Sequence, residues 1–289
     1  MSLLSTSAFA DPKFEYGKAE EVEKVKEVEW TAAAEFGLVF TTGNSDTTTI
    51  AAGLKASRKT GKNKLSLEGS MTYAKSSIRV LDDINGNGLI DSEDEIVTQE
   101  TVTAETYASK IRYDRFLTKS NSLFAALLAA RDLPAGKQSV VGGQVGYSRL
   151  LSKSKKSEAV GEIGLDYARE NLVAGAPVHI LSARAFVGYK AEMTEGANVD
   201  ASTELLTNLN HEDLATRVNG AGVGEDTRIT VKVAFSAKIG KNLAVQTSVE
   251  ARYDHRPAPL AIKGLAAGFV PEASRLDTMM KASLIYTLF

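Results

Sequence analysis

The stretch Lys64-Leu65-Ser66-Leu67-Glu68-Gly69-Ser70-Met71-Thr72-Tyr73 decides the fold. Leu65, Leu67, Gly69, Met71 and Tyr73 alternate with Ser66, Glu68, Ser70 and Thr72. One face is apolar and the other polar or charged. A period of two is the pattern of a strand lying between two different media. Ten residues at ~3.3 Å each, tilted, match what a strand needs to cross a bilayer.

The same pattern recurs on both sides of this stretch. Trp30, Ala32, Ala34, Phe36, Leu38 and Phe40 share a face. Ile50, Ala52, Leu54 and Ala56 follow, and then Tyr107, Ile111 and Tyr113. A weaker apolar strand covers Leu123 to Arg131, and Val141, Val145 and Tyr147 mark the next. Later strands centre on Ile163, Val187, Val199 and Val233. The last two run from Leu243 to Tyr253 and from Leu276 to Leu288. The reading predicts an all-β chain, a 12-stranded antiparallel transmembrane β-barrel, over residues 30–289.

The connections support it independently. After strands two, four, six, eight and ten they are short: Lys59-Asn63, Leu117-Asn121, Ser152-Lys156, Thr194-Asn198 and Gly240-Asn242. Their Gly, Asn, Ser and Lys residues suit tight hairpins. The connections near 76–101, 132–139, 170–178, 210–226 and 254–274 are longer. Short turns on one rim and long loops on the other are expected of outer-membrane barrels. Both termini and the short turns then face the periplasm. A soluble β-sandwich also alternates, but its strands average only ~5–6 residues.

Composition agrees. The 289 residues contain no cysteine, which excludes disulfides and thiolate metal sites. Net charge is -2, so no global basic field attracts nucleic acid. No apolar run approaches the ~20 residues of a membrane helix. Residues 1–10 read as a partial signal peptide, with Ala8-Phe9-Ala10 as the cleavage motif. Residues 11–29 form a charged periplasmic segment. The chain ends on Phe289, the aromatic expected to be read by the barrel-assembly machinery. Tyr286, three positions earlier, falls on the opposite face of a regular strand. Tyrosines near strand ends suit the boundary with outer-membrane lipid.

The hairpin from Trp30 to Thr49, with Phe36-Gly37-Leu38 leading into Thr41-Thr42-Gly43-Asn44-Ser45-Asp46-Thr47-Thr48-Thr49, resembles a family of salt-induced outer-membrane proteins defined by a domain of unknown function. The resemblance spans about residue 30 to 289 and is specific in this first hairpin. It implies an outer-membrane barrel of a Gram-negative bacterium and carries over no catalytic residues.

One motif is sharp. Residues 83–94 match a twelve-residue calcium loop. Asp83, Asn85 and Asn87 supply side-chain oxygens at positions one, three and five, and Gly88 permits the turn. Leu89 offers its carbonyl and Asp91 stands at position nine. Asp94 replaces the usual bidentate Glu at twelve, and its shorter side chain predicts weaker binding. The expected role of Ca2+ is structural, in a loop outside the cell. Catalytic patterns are weak: His179 and Ser182 fall on opposite faces of a strand, and His211 and His255 sit in loops.

The polar faces define the lumen. The expected lumen-facing residues are Glu35, Lys55, Glu68, Lys110, Arg112, Asp114, Glu162, Asp166, Arg184, Lys190, Glu204, Arg228, Lys232, Glu250, Arg252, Asp277 and Lys281. The signs are mixed. They admit a polar pore for ions or small polar solutes, or a lumen filled by ion pairs in a closed envelope-maintenance barrel. Strand number leaves both open, since twelve lies between filled and channel-forming barrels.

Overall fold

The computed structural model describes residues 28–41, 46–81, 86, 96–133, 135–173, 176–212, 221–258 and 274–288. Among them, twelve strands form one closed antiparallel barrel. They are β1 (Glu29–Thr41), β2 (Asp46–Thr60), β3 (Asn63–Leu81), β4 (Ile96–Phe116), β5 (Asn121–Asp132) and β6 (Lys137–Lys153), then β7 (Ser157–Leu172), β8 (Val178–Thr194), β9 (Ala197–Asn208), β10 (Thr227–Lys238), β11 (Leu243–Asp254) and β12 (Leu276–Thr287). Each strand pairs with its neighbours in sequence, and β1 closes on β12. The signal segment expected over residues 1–10, the charged segment expected over 11–29 as far as residue 27, and Phe289 lie outside the described residues, and Glu29 belongs to β1.

Alternation builds two surfaces with opposite chemistry. Leu65, Ile111, Leu127, Val145, Ile163, Val187, Phe235 and Leu284 are exposed on the outside. Arg112, Glu162, Ser148, Ser182 and Glu250 are buried within the ring. A globule in water would reverse this order. The arrangement stabilises the chain only when hydrocarbon covers the outer belt.

Aromatic rings bound that belt. Trp30, Tyr113, Tyr147, Tyr189 and Tyr286 lie toward the short-turn rim. Tyr107, Tyr167 and Tyr253 lie toward the other. Several hydroxyls are tethered at these levels. Tyr113 donates to Asn63 at 2.7 Å, and Tyr147 bonds Asn121. Tyr167 shares a 2.8 Å hydrogen bond with His179, and Tyr253 one of 2.9 Å with His255. A ring at the boundary keeps its body in lipid and its hydroxyl among polar groups.

Two details differ from the sequence reading. The connection expected near 76–101 is shorter, because the β3–β4 ladder continues to Leu81 opposite Ile96. In its upper part Ser76, Ser77, Thr98, Thr101 and Thr103 interrupt the apolar alternation, which leaves Val97 and Val102 as isolated exposed apolar residues. The Lys75–Glu100 ion pair and a 3.1 Å Thr47–Ser76 hydroxyl contact bind this polar extension. A bulge at Ala74/Lys75 marks where strict pairing breaks. Second, the closing ladder is brief: β1 and β12 pair only from Ala33–Thr287 to Phe36–Leu284. Inside that seam Lys281 meets Glu35 at 2.7 Å, and Ser283 donates to Glu35 at 2.6 Å. At the tight turns, Gly61 (φ +53°) and Gly196 (φ +82°) supply left-handed backbone that other residues rarely adopt.

Leu127 stands in the middle of the outer belt, 68% exposed. Leu127→Arg is expected to destabilise the barrel by about 2–4 kcal/mol, the cost of a cation near the bilayer midplane. Urea titration of the protein folded into vesicles measures it. A loss below about 0.5 kcal/mol would contradict a hydrocarbon-facing wall.

Candidate functional site in the barrel lumen

The lumen is the one surface where charge is concentrated away from bulk water. Its centre is a buried cluster on the β4–β9 wall. Arg112 on β4 reaches Glu162 on β7 at 2.8 Å and Asp114 on its own strand at 2.7 Å. Arg184 on β8 approaches the same Glu162 at 2.8 Å and Glu204 on β9 at 2.5 Å. Glu162 thus bridges two guanidiniums and is fully buried. Fork-shaped donors facing carboxylates give short, directional contacts. Burying so many charges is tolerable only because each one is paired.

Aromatic rings complete the seal. The Arg112 guanidinium lies 4.1 Å from the Phe124 ring centroid, and Arg184 lies 5.5 Å from Phe124 and 5.3 Å from Phe186. Such stacking contributes about 0.5–2 kcal/mol per pair. Gly146 makes room for Phe124, since a Cβ there would stand 2.7 Å from the ring. Toward the short-turn side, Phe116 packs on Val160 and Leu150. Cross-strand partners extend the cluster: Glu68 is opposite Lys110, and Gln144 donates to Asp166 at 2.8 Å.

The facing strands, β10–β12 with β1 and β2, are mixed: Glu250, Ser248 and Ser283 are buried, whereas three charged side chains are more accessible. The side chains of Lys232, Lys281 and Glu35 are 21%, 23% and 18% exposed, against 2% for Arg112 and 1% for Arg184. Lys232 is 3.9 Å from Glu250, which also pairs with Arg252. A cavity of about 80 Å³ opens between the two sides. Glu158, Phe186, Lys190 and Asp200 of β7–β9 line most of it, and Lys55 and Lys232 face them. The lumen is therefore lopsided, packed around Glu162 and more open beside this cavity and the Lys281–Glu35 seam.

Above the dry cluster, toward the long loops, stands a second network. Glu170 on β7 meets Arg228 at 2.6 Å and Lys137 at 3.2 Å. Arg228 also contacts Asp226 at 3.0 Å and Asp254 at 3.7 Å. The described ends of the β9–β10 connection, residues 209–212 and 221–226, come together beside this network. Glu212 and Ala221 exchange two backbone hydrogen bonds of 2.9 Å. Asn208 fastens the base, donating to the Asn210 and Gly222 carbonyls at 2.9 Å and accepting from the Asp226 amide. Glu212 is only 1% exposed, and neither carboxylate oxygen has a hydrogen-bond partner among the described residues. Burial, with the neighbouring Asp226 charge, pushes its carboxyl up to about 7. Burial raises Asp226 as well.

Each residue read from the sequence now has a place. Glu35, Glu68, Lys110, Arg112, Glu162, Asp166, Arg184, Arg228, Lys232, Glu250, Arg252 and Lys281 all line the interior, split among the dry cluster, the mouth and the facing strands. Glu170, Lys137, Glu212 and Asp226 were not anticipated. Glu170 continues the face of Glu162 and Asp166 at a spacing of four and was legible. Glu212 sits in a loop, where no period points inward. Phe124 and Phe186 were also missed, because their strands carry apolar residues on both faces. The residues expected to hold Ca2+ (Asp83, Asn85, Asn87, Leu89, Asp91 and Asp94) lie outside the described residues. Among the described residues, no three His, Asp or Glu side chains converge as metal ligands. His179 bonds Tyr167 on the outer face while Ser182 is buried inside, so the two do not meet.

A closed ring of long amphipathic strands, greasy outside and ion-paired inside, defines a transmembrane β-barrel of the outer-membrane type. The chain belongs to the family described as a protein of unknown function, DUF481, which it matches over residues 34–288. No curated protein matches it in sequence. Among solved structures it is similar to the NanC porin, at 10% identity over 90% of this chain and 100% of that one, with a TM-score of 0.45. It is also similar to the toluene transporter TodX of Pseudomonas putida, at 9% identity over 99% of this chain and 95% of that one, with a TM-score of 0.40. The anion-selective porin of Comamonas acidovorans shares 11% identity over 91% of this chain and 100% of that one, with a TM-score of 0.37. These likenesses concern the fold alone.

The buried Glu212 generates a pH prediction. The groups facing it are Asp226 from its own loop, Arg228 on β10, Glu170 on β7 and Asp254 on β11. Its folded value lies above the open-loop value near 4.5, so the closed loop holds a proton that the open loop releases. The loop's stability is then full below about 4.5 and falls as pH rises toward about 7. Hydrogen exchange of the Glu212 and Ala221 amides, corrected for intrinsic rates, should lose protection by roughly two orders of magnitude across that window. Glu212→Gln should flatten the profile. Constant protection in the unaltered protein would contradict the assignment.

Proposed function

We propose that the protein is a narrow outer-membrane channel for ions or small polar solutes, located in the outer membrane of a Gram-negative bacterium and without enzymatic activity. The observation that carries this reading is the lopsided lumen. Ion pairs and aromatic rings pack the centre around Glu162, whereas the cavity lined by Lys55, Lys190, Lys232, Glu158 and Asp200, with the partly exposed Lys281 and Glu35, leaves charges of both signs accessible to water. A filled barrel has no need of a hydrated cavity. Water-lined charges of both signs are what a solute exchanging its hydration shell requires. The second reading, a closed barrel that maintains the envelope, draws on the dry cluster around Glu162.

Conductance of the purified protein in a planar bilayer separates the two. The channel reading expects small discrete steps. Lys232→Glu reverses a charge lining this cavity and should move the reversal potential in a salt gradient toward cations. A silent bilayer, with folding shown by heat-modifiable gel mobility, would favour the closed barrel.

The reading includes a structural calcium ion in the loop at residues 83–94. The loop leaves a paired ribbon, since β3 and β4 stay in register up to Leu81 and Ile96. Clustered carboxylates at the tip of such a ribbon repel one another, and a divalent cation would neutralise them. The expected affinity is ~0.1–1 mM, the range of extracellular calcium modules. Isothermal titration should show one site that Asp83→Ala removes. Absence of saturable heat up to 10 mM calcium (about ten times the upper expectation) would reject the site.

A further inference from the structure

The short-turn rim carries a charge pattern that a channel does not require. On the five short turns and their flanking strand ends, ten Lys and Arg residues are exposed against two acids, Glu192 and Glu195; Glu29, at the start of β1, adds one more exposed acid to this rim. Across the whole chain the balance is nearly neutral, 34 basic to 36 acidic residues. The excess is therefore local. We infer that this rim is a docking surface for anionic phospholipid headgroups of the leaflet that surrounds it.

The direction of the side chains points to lipid. Arg58, Arg115 and Arg149 occupy outward positions of β2, β4 and β6, in phase with Leu54, Tyr113 and Tyr147. They extend sideways from the wall, not along the barrel axis toward a soluble partner. Each stands beside the aromatic girdle. The Arg58 guanidinium lies 5.7 Å from the Trp30 ring centroid. Arg115 donates to Asn63 Oδ1 at 2.7 Å, the atom that also accepts from Tyr113. Girdle rings mark the headgroup level, so cations immediately beyond them meet phosphates.

The β6–β7 turn concentrates the charge. Lys153, Lys155 and Lys156 fall within four residues, all exposed. Ser154 holds the turn: its hydroxyl accepts from the amides of Lys156 at 3.2 Å and Ser157 at 3.0 Å, and its amide donates to the Ser157 carbonyl at 2.7 Å. Three like charges thereby stand on one short turn, with Glu158 opposite Lys153 in the hairpin ladder as the acid beside them. The β8–β9 turn carries Glu195 instead, so the preference should be strongest away from it.

The sole tryptophan, Trp30, is a built-in reporter beside Arg58. The test uses the full chain folded into phosphatidylcholine vesicles containing equal small fractions of brominated phosphatidylglycerol or brominated phosphatidylcholine. The anionic lipid should quench Trp30 two- to threefold more strongly at low ionic strength. That preference should fall toward unity in 0.5 M salt, where the Debye length shrinks to about 4 Å. Arg58→Gln should weaken it, with folding checked by gel mobility. A second reporter, Leu151→Trp in a Trp30→Phe background, reads the lysine-rich turn. There Lys153→Gln, Lys155→Gln and Lys156→Gln together should abolish the preference. Equal quenching by the two lipids at either reporter, at low salt, would overturn the inference. So would a salt-sensitive complex of the rim with a soluble acidic protein or polysaccharide that leaves quenching by the two lipids equal.

Discussion

A bilayer core offers no water to a peptide group, and the whole molecule follows from that. Every N–H and C=O in the spanning region must find a partner within the sheet, so the sheet has to close. Closure creates an inside that lipid never touches. Outward positions must then be apolar, and inward positions are free to carry charge. The exposed Leu127 and the buried Glu162 are consequences of one condition.

Charge inside a ring this size brings its own demand. A lone ion in a low-dielectric interior costs several kcal/mol, so the interior charges meet in groups. Glu162 serves two arginines, Glu170 serves Arg228 and Lys137, and Glu35 serves Lys281 and Ser283. Volume is managed with equal economy. Phe124 fits against a Gly146 that has no Cβ, and its ring faces two guanidiniums. Packing of this kind fills the centre around Glu162 and leaves the cavity beside it open. The lopsidedness of the lumen is a packing result before it is a functional one.

The two rims differ for a related reason. The short turns sit close to the headgroups, where tethered tyrosines and outward arginines can serve both lipid and water. The long-loop rim carries the two described ends of the β9–β10 connection, with Glu212 buried between them and the barrel. They are held by Asn208, whose amide ties three stretches of chain together. Lumen, rim and loop are thus built from separate sets of contacts.

The sequence by itself determined the class of fold, the number of strands and which turns are short. It could do so because lipid outside and polar groups inside impose a period of two on every strand, and because Gly, Asn and Ser punctuate tight hairpins. It also assigned Arg112, Glu162, Arg184 and Lys232 to one kind of face. Only the tertiary structure decided which of these meet. Arg112 and Glu162 are fifty residues apart and come together through barrel closure and strand stagger, which no local pattern encodes. The ladder beyond Ala74 went unread because Ser and Thr interrupt the apolar alternation there. Glu212 went unread because a loop has no period, and its burial depends on contacts that only the folded chain brings together.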